Sequence, residues 1–352
     1  MIGWRTAVGI PTFVRIKPGA IDRLGIYASR HGHRKLAMIV SEGLPPGIVD
    51  RAASGLEAEG AGQVGRVDAS EASFEAASAL FSALPGGCDA VIGLGGGKAL
   101  DVAKYAAFLA GKPMYAVPTS LSNDGFCSPQ SSLTMGGARR SLPAHLPFAV
   151  VVDTAVCLEA PRVLWWSGVG DLSAKVTAVR DWKLSYHATG EPVDDFAALL
   201  SDATVSQFFG RPEHDDEGMR LLGTALMLNG IAMAVCGSSR PASGAEHLIS
   251  HALDATSDRP RLHGLQVGVA TYLVSRLQGG AGTDRIAGAF DRTGFWEGIR
   301  ADPFSKAEWL EAVRSAPAIN PGRFTVLSTR DCLPEVARMI EEDEALQGCF
   351  AG

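Results

Sequence analysis

Two short stretches hold most of the residue types that could do chemistry. In SGAEHLISHALD (Ser243–Asp254), His247 and His251 stand four residues apart. On a helix that spacing puts both on one face. RLHGLQVG follows, with His263 ahead of a glycine and a further helical pattern. Far upstream, WWSGVGDLSAK sets Asp171 near the start of a helical pattern. Two imidazoles and one carboxylate make a divalent-metal site with positions left open for a substrate. The blander reading is a chance pair on a solvated face, or histidines satisfied within the core. The pattern is not HExxH, so a zinc-protease reading lacks its general base.

The second stretch, Cys88–Pro129, reads as strand, glycine turn, helix, strand and polar loop. Gly95, Gly96 and Gly97 let the backbone turn sharply and approach a ligand. The amides opening the next helix make an anion site suited to a dinucleotide pyrophosphate, and Lys98 adds a positive charge. The run GGGKALD is not the GxGxxG fingerprint, so a tight ligand-free connection is the alternative. After the next strand, PTSLSNDGFCSP offers hydroxyls at Thr119, Ser120, Ser122 and Ser128 and a carboxylate at Asp124. Open α/β sheets bind ligands beyond the carboxyl ends of their strands, where both loops fall. Ser-Asn-Asp-Gly is also ordinary turn chemistry.

The surrounding pattern supplies elements to hold these residues. Strand signals at Thr12–Lys17, Leu36–Val40, Gln63–Val67, Ala90–Leu94, Met114–Val117 and Phe148–Val152 alternate with helical spacing at Ala20–Arg30, Ile48–Glu59, Glu71–Leu84 and Lys98–Leu109. That alternation predicts a parallel sheet wrapped by helices, with Phe148–Val152 as its last strand. After Asp153 the pattern is helical: Leu164–Tyr186, Asp194–Phe209, Glu217–Val235, Ala245–Leu253, Val267–Leu277 and Lys306–Ser315. The expected division is an α/β domain over residues 1–154 and an all-α domain over 155–352. No repeat of fixed period runs through the chain.

Bulk properties narrow the function. The 352 residues are 46% hydrophobic and 20% charged, with a net charge of −6. The length suits two domains, and the acidic excess argues against a nucleic-acid partner. MIGWRTAVGIPTFVRIKPG lacks the apolar core of a signal peptide. Leu221–Cys236 is the most apolar segment, but Asn229 and its glycines fit a buried helix better than a membrane span. Six scattered cysteines without a CxxC pair fit reduced thiols in the cytoplasm.

Together the blocks GGGKALDVAK, PTSLSNDGFCSP, GVGDLSAK, SGAEHLISHALD, LHGLQVG and APAINPGRFTVL resemble the sn-glycerol-1-phosphate dehydrogenase family. That family lies within the superfamily of glycerol dehydrogenases, iron-containing alcohol dehydrogenases and dehydroquinate synthases. The resemblance runs from about Asp89 to Leu327. It implies the dehydroquinate synthase-like fold: a Rossmann-like α/β N-terminal domain and an all-α C-terminal domain, with the active site in the cleft between them. It implies a metal held by Asp171, His247 and His263, zinc first, with nickel or iron as alternatives. It places NAD(P) against Gly95, Gly96, Gly97, Lys98, Ala99, Thr119, Ser120, Leu121, Ser122 and Ser128. It places a small-molecule substrate near Asp124, Asp171 and His251, and implies a homo-oligomer with no membrane insertion.

Two departures from the family pattern stand out. Asn123 precedes Asp124-Gly125 where relatives often carry His or Met, and Leu265 replaces the acidic residue of HGEQVG. The implied reaction is hydride transfer between NAD(P)H and a small polyol or polyol phosphate, with His251 relaying a proton. Glu42, after the first buried strand, could accept from the adenosine ribose and disfavour NADP, or be a surface glutamate in a turn. Arg139, Arg140 and Arg240 are the cationic candidates for a substrate phosphate. The rival activities are a dehydroquinate-synthase-type lyase, an unphosphorylated polyol dehydrogenase and a non-enzymatic nucleotide-binding protein.

Overall fold

The computed structural model describes residues 9–280 and 282–352. Alternating strands and helices open the chain: β1 (Phe13–Lys17), α1 (Leu24–Arg30), β2 (Lys35–Ser41), α2 (Pro46–Glu57), β3 (Gly62–Ala69), α3 (Phe74–Ala83), β4 (Ala90–Gly95), α4 (Gly97–Leu109) and β5 (Met114–Pro118). Next come β6 (Gln130–Met135), β7 (Ala138–Pro143), β8 (Ala149–Asp153) and α5 (Thr154–Glu159). Six strands pair in parallel in the order β1-β8-β5-β4-β2-β3. The core strands β4, β5 and β8 are buried along their whole length, as a parallel sheet covered on both faces requires. On one face Leu36, Met38, Val40, Ile92, Leu94, Tyr115, Val117 and Val151 pack with Ile21, Leu24, Val49 and Leu56 from the covering helices.

Chain order reverses between β2 and β4: β3 lies to one side of this pair, and β5 and β8 to the other. The carboxyl ends of β2 and β4 are therefore the switch point where such sheets bind ligands. The glycine turn stands at the end of β4.

The hairpin of β6 and β7, an antiparallel pair outside the main sheet, was not expected. Gly136 and Gly137 form its turn with φ of 59° and 80°, a two-residue connection that only glycine adopts readily. β8 is the last strand of the main sheet, as expected for Phe148–Val152.

Helices dominate the rest: α6 (Arg162–Ser173), α7 (Lys175–Thr189), α8 (Asp195–Gly210), α9 (Asp216–Cys236), α10 (Ala245–Thr256), α11 (His263–Leu277), α12 (Thr283–Thr293), α13 (Phe295–Arg300), α14 (Lys306–Ile319) and α15 (Leu333–Glu342). A two-residue parallel pair, Phe304–Ser305 with Phe350–Ala351, is the strand content among the described residues of this part. The single helix expected over Leu164–Tyr186 is interrupted at Ala174, so Asp171 stands near the end of α6 and not near a helix start.

The described residues form two compact units, 9–160 with 215–235, and 161–214 with 236–280 and 282–352. A single cut after residue 154 does not describe this, because α9 returns to the sheet unit. A Cβ at Gly230 would lie 1.8 Å from the Cys127 carbonyl oxygen, and one at Gly223 would lie 3.4 Å from Ile16 and Leu121. Helix α9 is the one described helix long and apolar enough to cross a membrane. Those contacts, and the burial of Leu222, Leu226, Asn229 and Ala232, make it a core helix of this unit.

Backbone contact at Gly230 leaves no room for a methyl group. Gly230→Ala is expected to cost at least the about 1–3 kcal/mol of ordinary overpacking. The measurement is the urea unfolding midpoint, and an unchanged midpoint would contradict this packing.

Candidate active site

In the sheet unit, the glycine turn is built around one hydroxyl. Gly95 has φ of +136°, and a Cβ there would meet Ser41 Oγ at 2.2 Å. Ser41, the last residue of β2, accepts the Gly96 N–H at 3.0 Å. Gly96 caps α4, and Gly97, Lys98 and Ala99 open its first turn. Amides in a first turn have no acceptor within their own helix, so the turn presents N–H groups at the switch point. Lys98 is exposed, while Ala99 is buried and offers only backbone to a ligand.

The second loop lies beside the first. Thr119 N–H donates to Gly95 O at 3.1 Å, and Gly95 pairs in register with Pro118. Thr119 and Ser120 are nearly buried next to the glycine turn. Leu121 sends its side chain under Gly223, leaving backbone for a cofactor. Ser128 uses its hydroxyl inside the loop, donating to Gln130 O at 2.8 Å. Asn123 Oδ1 accepts the Gly125 N–H at 2.9 Å and so starts the short turn Asp124–Cys127. That is a turn-forming role for the departure noted at this position. Ser122 and Asp124 are half-buried on the same loop.

Lys104 holds this loop in place, which no motif announced. Its ammonium is buried and donates to Gly125 O at 2.6 Å and Gln130 O at 2.7 Å, with Asp101 Oδ1 at 3.4 Å.

In the helical unit, three helices bring together the other half of the expected set. Asp171 comes from α6, His247 from α10 and His263 from the first position of α11. Their donor atoms all lie within 4.8 Å of one another. His247 Nε2 is 3.5 Å and His263 Nε2 is 3.8 Å from Asp171 Oδ1. Donors bound to one tetrahedral zinc at about 2.0–2.1 Å stand about 3.3 Å apart, so this set fits a divalent metal with only a small contraction. The Nδ1 atoms point the other way, His247 toward Glu246 Oε1 at 3.0 Å and His263 toward Ser250 Oγ at 3.3 Å. Gln266 Nε2 in turn donates to Ser250 Oγ at 3.0 Å.

His251 shares the face of His247, as the spacing predicted. Its ring is exposed and stands 6.2 Å from that of His247 and 6.0 Å from that of His263.

Electrostatics favour metal ligation at Asp171 and His263 but not at His247. Burial pushes the Asp171 carboxyl up, but the Lys175 ammonium and the two histidines outweigh it and hold it well below its usual range. Burial and the neighbouring His247 push His263 down to about 3, so it is neutral and needs to shed no proton to bind a cation. For His247, burial is outweighed by hydrogen bonds to Asp171 and Glu246, and its pKa is raised.

The charged candidates for a phosphate subsite are differently placed. Arg240 is buried and spent within the protein, on the Glu191 carboxylate at 2.9 Å, Phe324 O at 2.8 Å and Ser185 Oγ at 3.2 Å. Arg139 and Arg140 lie exposed on β7, with Arg139 Nε on Ser132 Oγ at 2.8 Å. Sequence reasoning missed Ser41, Lys104, Lys175, Glu246 and Ser250. A hydroxyl at a strand end facing three glycines was the one legible signal among them.

The comparisons agree with the fold and the motifs. The iron-containing alcohol dehydrogenase family profile matches residues 15–161. A glycerol-1-phosphate dehydrogenase [NAD(P)+] of Aeropyrum pernix is 36% identical over 340 residues, 95% of this chain and 96% of the relative. One of Pyrococcus furiosus is 38% identical over 256 residues, 70% of this chain and 74% of the relative. A probable glycerol dehydrogenase structure from Sinorhizobium meliloti superposes with a TM-score of 0.74 at 20% identity, covering 96% of this chain and 99% of its own. At that low identity it speaks for the fold alone. Identity above one third, sustained over nearly the whole length of both proteins, means that the chain belongs to the glycerol-1-phosphate dehydrogenase family of iron-containing alcohol dehydrogenases.

Proposed function

We propose that this chain is a metal-dependent, NAD(P)-linked dehydrogenase. Its reaction interconverts sn-glycerol 1-phosphate and dihydroxyacetone phosphate. The observation that carries the reading is the convergence of Asp171, His247 and His263, in a chain whose relatives bear that activity in their names. Zinc is the metal of choice for two imidazole nitrogens and a carboxylate with an open position, and nickel or iron share the ligand preference. When bound, the metal supplies Lewis acidity at the carbinol oxygen and the nicotinamide supplies or takes the hydride.

The protein's own residues do the rest. The first amides of α4, with Gly95 to Ala99, bind the pyrophosphate, and Thr119, Ser120, Leu121, Ser122 and Ser128 shape the adjoining wall. Asp124 accepts from a substrate hydroxyl. His251, exposed beside His247 and His263, moves the carbinol proton between substrate and solvent. Glu42 follows Ser41 at the switch point and is exposed. A carboxylate there accepts from a ribose 2′-hydroxyl and repels a 2′-phosphate, favouring NAD over NADP. A cytoplasmic homo-oligomer completes the proposal. No disulfide links the six cysteines, which supports the compartment, whereas family resemblance alone supports the assembly.

Three measurements test this. Zinc-loaded protein should oxidise NADH with dihydroxyacetone phosphate far faster than with dihydroxyacetone, followed by nicotinamide absorbance. Equal rates would remove the phosphate from the proposal, and turnover without net redox change would remove the dehydrogenase. Asp171→Asn and His263→Ala should each lose bound zinc and turnover together while keeping the far-ultraviolet dichroism of the parent. Full activity in either variant would refute the metal site. Replacing Glu42 with glycine should raise kcat/KM for NADPH relative to NADH, and an unchanged ratio would place the ribose elsewhere.

A further inference from the structure

The metal reading leaves a question of charge. Lys175 is fully buried on α7, with Nζ 3.5 Å from Asp171 Oδ2 and donating to Asp171 O at 2.9 Å. Its ammonium cancels the charge of the one carboxylate among the three ligands. A divalent cation entering a site of zero net charge is held by its donor bonds alone, without net Coulomb attraction to help offset its lost hydration.

A second carboxylate stands directly behind the ligands. Glu246 is 0% exposed. Its Oε1 faces His247 Nδ1 at 3.0 Å and accepts the Gly244 N–H, and its Oε2 accepts the Thr177 hydroxyl at 2.8 Å. Both carboxyl oxygens are thus engaged by donors, the geometry of an acceptor-only carboxylate. Asp181 and the half-buried Arg323 lie nearby. Arg323 is tied to Ser243 O and Ser239 Oγ, and Asp181 is pushed up to about 7 by burial and by Glu246 itself.

We propose that Glu246 is a positioning residue that makes this centre able to hold a divalent cation. It keeps the proton of His247 on Nδ1, so that Nε2 faces Asp171, and it provides the buried negative charge that Lys175 removes at Asp171. The inference rests on the metal reading above. It predicts opposite effects for the two residues: losing the Glu246 charge weakens metal binding, and losing the Lys175 charge strengthens it.

The test titrates zinc alone into metal-stripped full-length protein by calorimetry, with dichroism as the folding control. Glu246→Gln should weaken zinc about 10–100-fold, the usual effect of losing a ligand's orienting partner. Lys175→Met, close in volume, should tighten it, and the double variant should bind zinc more tightly than Glu246→Gln alone. Wild-type protein that takes up no zinc overturns the metal reading and this inference with it. Wild-type binding matched by Glu246→Gln overturns this inference alone. Should Glu246→Gln fail to fold, Lys175→Met decides: tighter zinc binding supports the charge assignment, and equal or weaker binding overturns it.

Discussion

The cluster of Asp171, His247 and His263 depends on how closely two helix backbones can approach. A Cβ on Gly170 of α6 would lie 2.0 Å from the Gly264 carbonyl oxygen of α11, and a Cβ on Gly264 would lie 1.8 Å from the Ser167 carbonyl oxygen. One turn on, a Cβ at Gly268 would meet Gly170 Cα at 2.9 Å. The helices touch main chain to main chain, an approach that any side chain at these positions would block. Asp171 follows Gly170 and His263 precedes Gly264, so the contact fixes both side chains. Each helical glycine gives up about 0.5–1 kcal/mol relative to alanine. That cost is accepted where an ångström of separation would pull the carboxylate and imidazole out of common reach.

The sheet unit uses glycine for a different end. Gly95 takes a positive φ so that Ser41 can occupy the space of a side chain and accept the next amide. One strand end thereby shapes its neighbour's turn, at the point where strand order reverses. Gly93 on β4 serves the same region, since a Cβ there would press on Ala103 of α4 at 2.9 Å. The helix can then sit close on its strand, with its first amides directed outward from the sheet edge. Backbone approach, not side-chain recognition, is what both sites have in common.

This explains which parts were legible in the sequence. Alternating apolar runs revealed the parallel sheet because its strands are buried on both faces. His247 and His251 revealed themselves by helical spacing, and the three glycines by their place after a strand. The hairpin of β6 and β7 was missed because Gln130–Pro143 is mostly polar, with too few apolar residues to mark either strand. The return of α9 to the sheet unit was missed because a helix hydrophobic all round shows burial without showing where. Asp171 was given the wrong end of its helix, since helical periodicity runs on through the break at Ala174. Gly170 and Gly264 were visible as letters of motifs, but only the contact between them shows what they are for.

Hardest to read were the buried charges, and here the two units share a device. Asp101 and Lys104 sit three apart on α4, and Asp171 and Lys175 sit four apart across α6 and α7. On sequence either pair reads as a solvated helix-surface ion pair worth a few tenths of a kcal/mol. In the structure both lysines are buried. A buried pair gains little net stability, because desolvation takes back most of the Coulomb attraction. Its value then lies in the other atoms the ammonium can hold. Lys104 spends its strongest hydrogen bonds on Gly125 O and Gln130 O, and so ties the loop bearing Asp124 to the helix that opens with the glycine turn. Lys175 reaches back to the backbone and carboxylate of Asp171, leaving Oδ1 to face the two histidines. In both units a lysine that looks like a surface charge acts as an internal tether for a carboxylate of the candidate site.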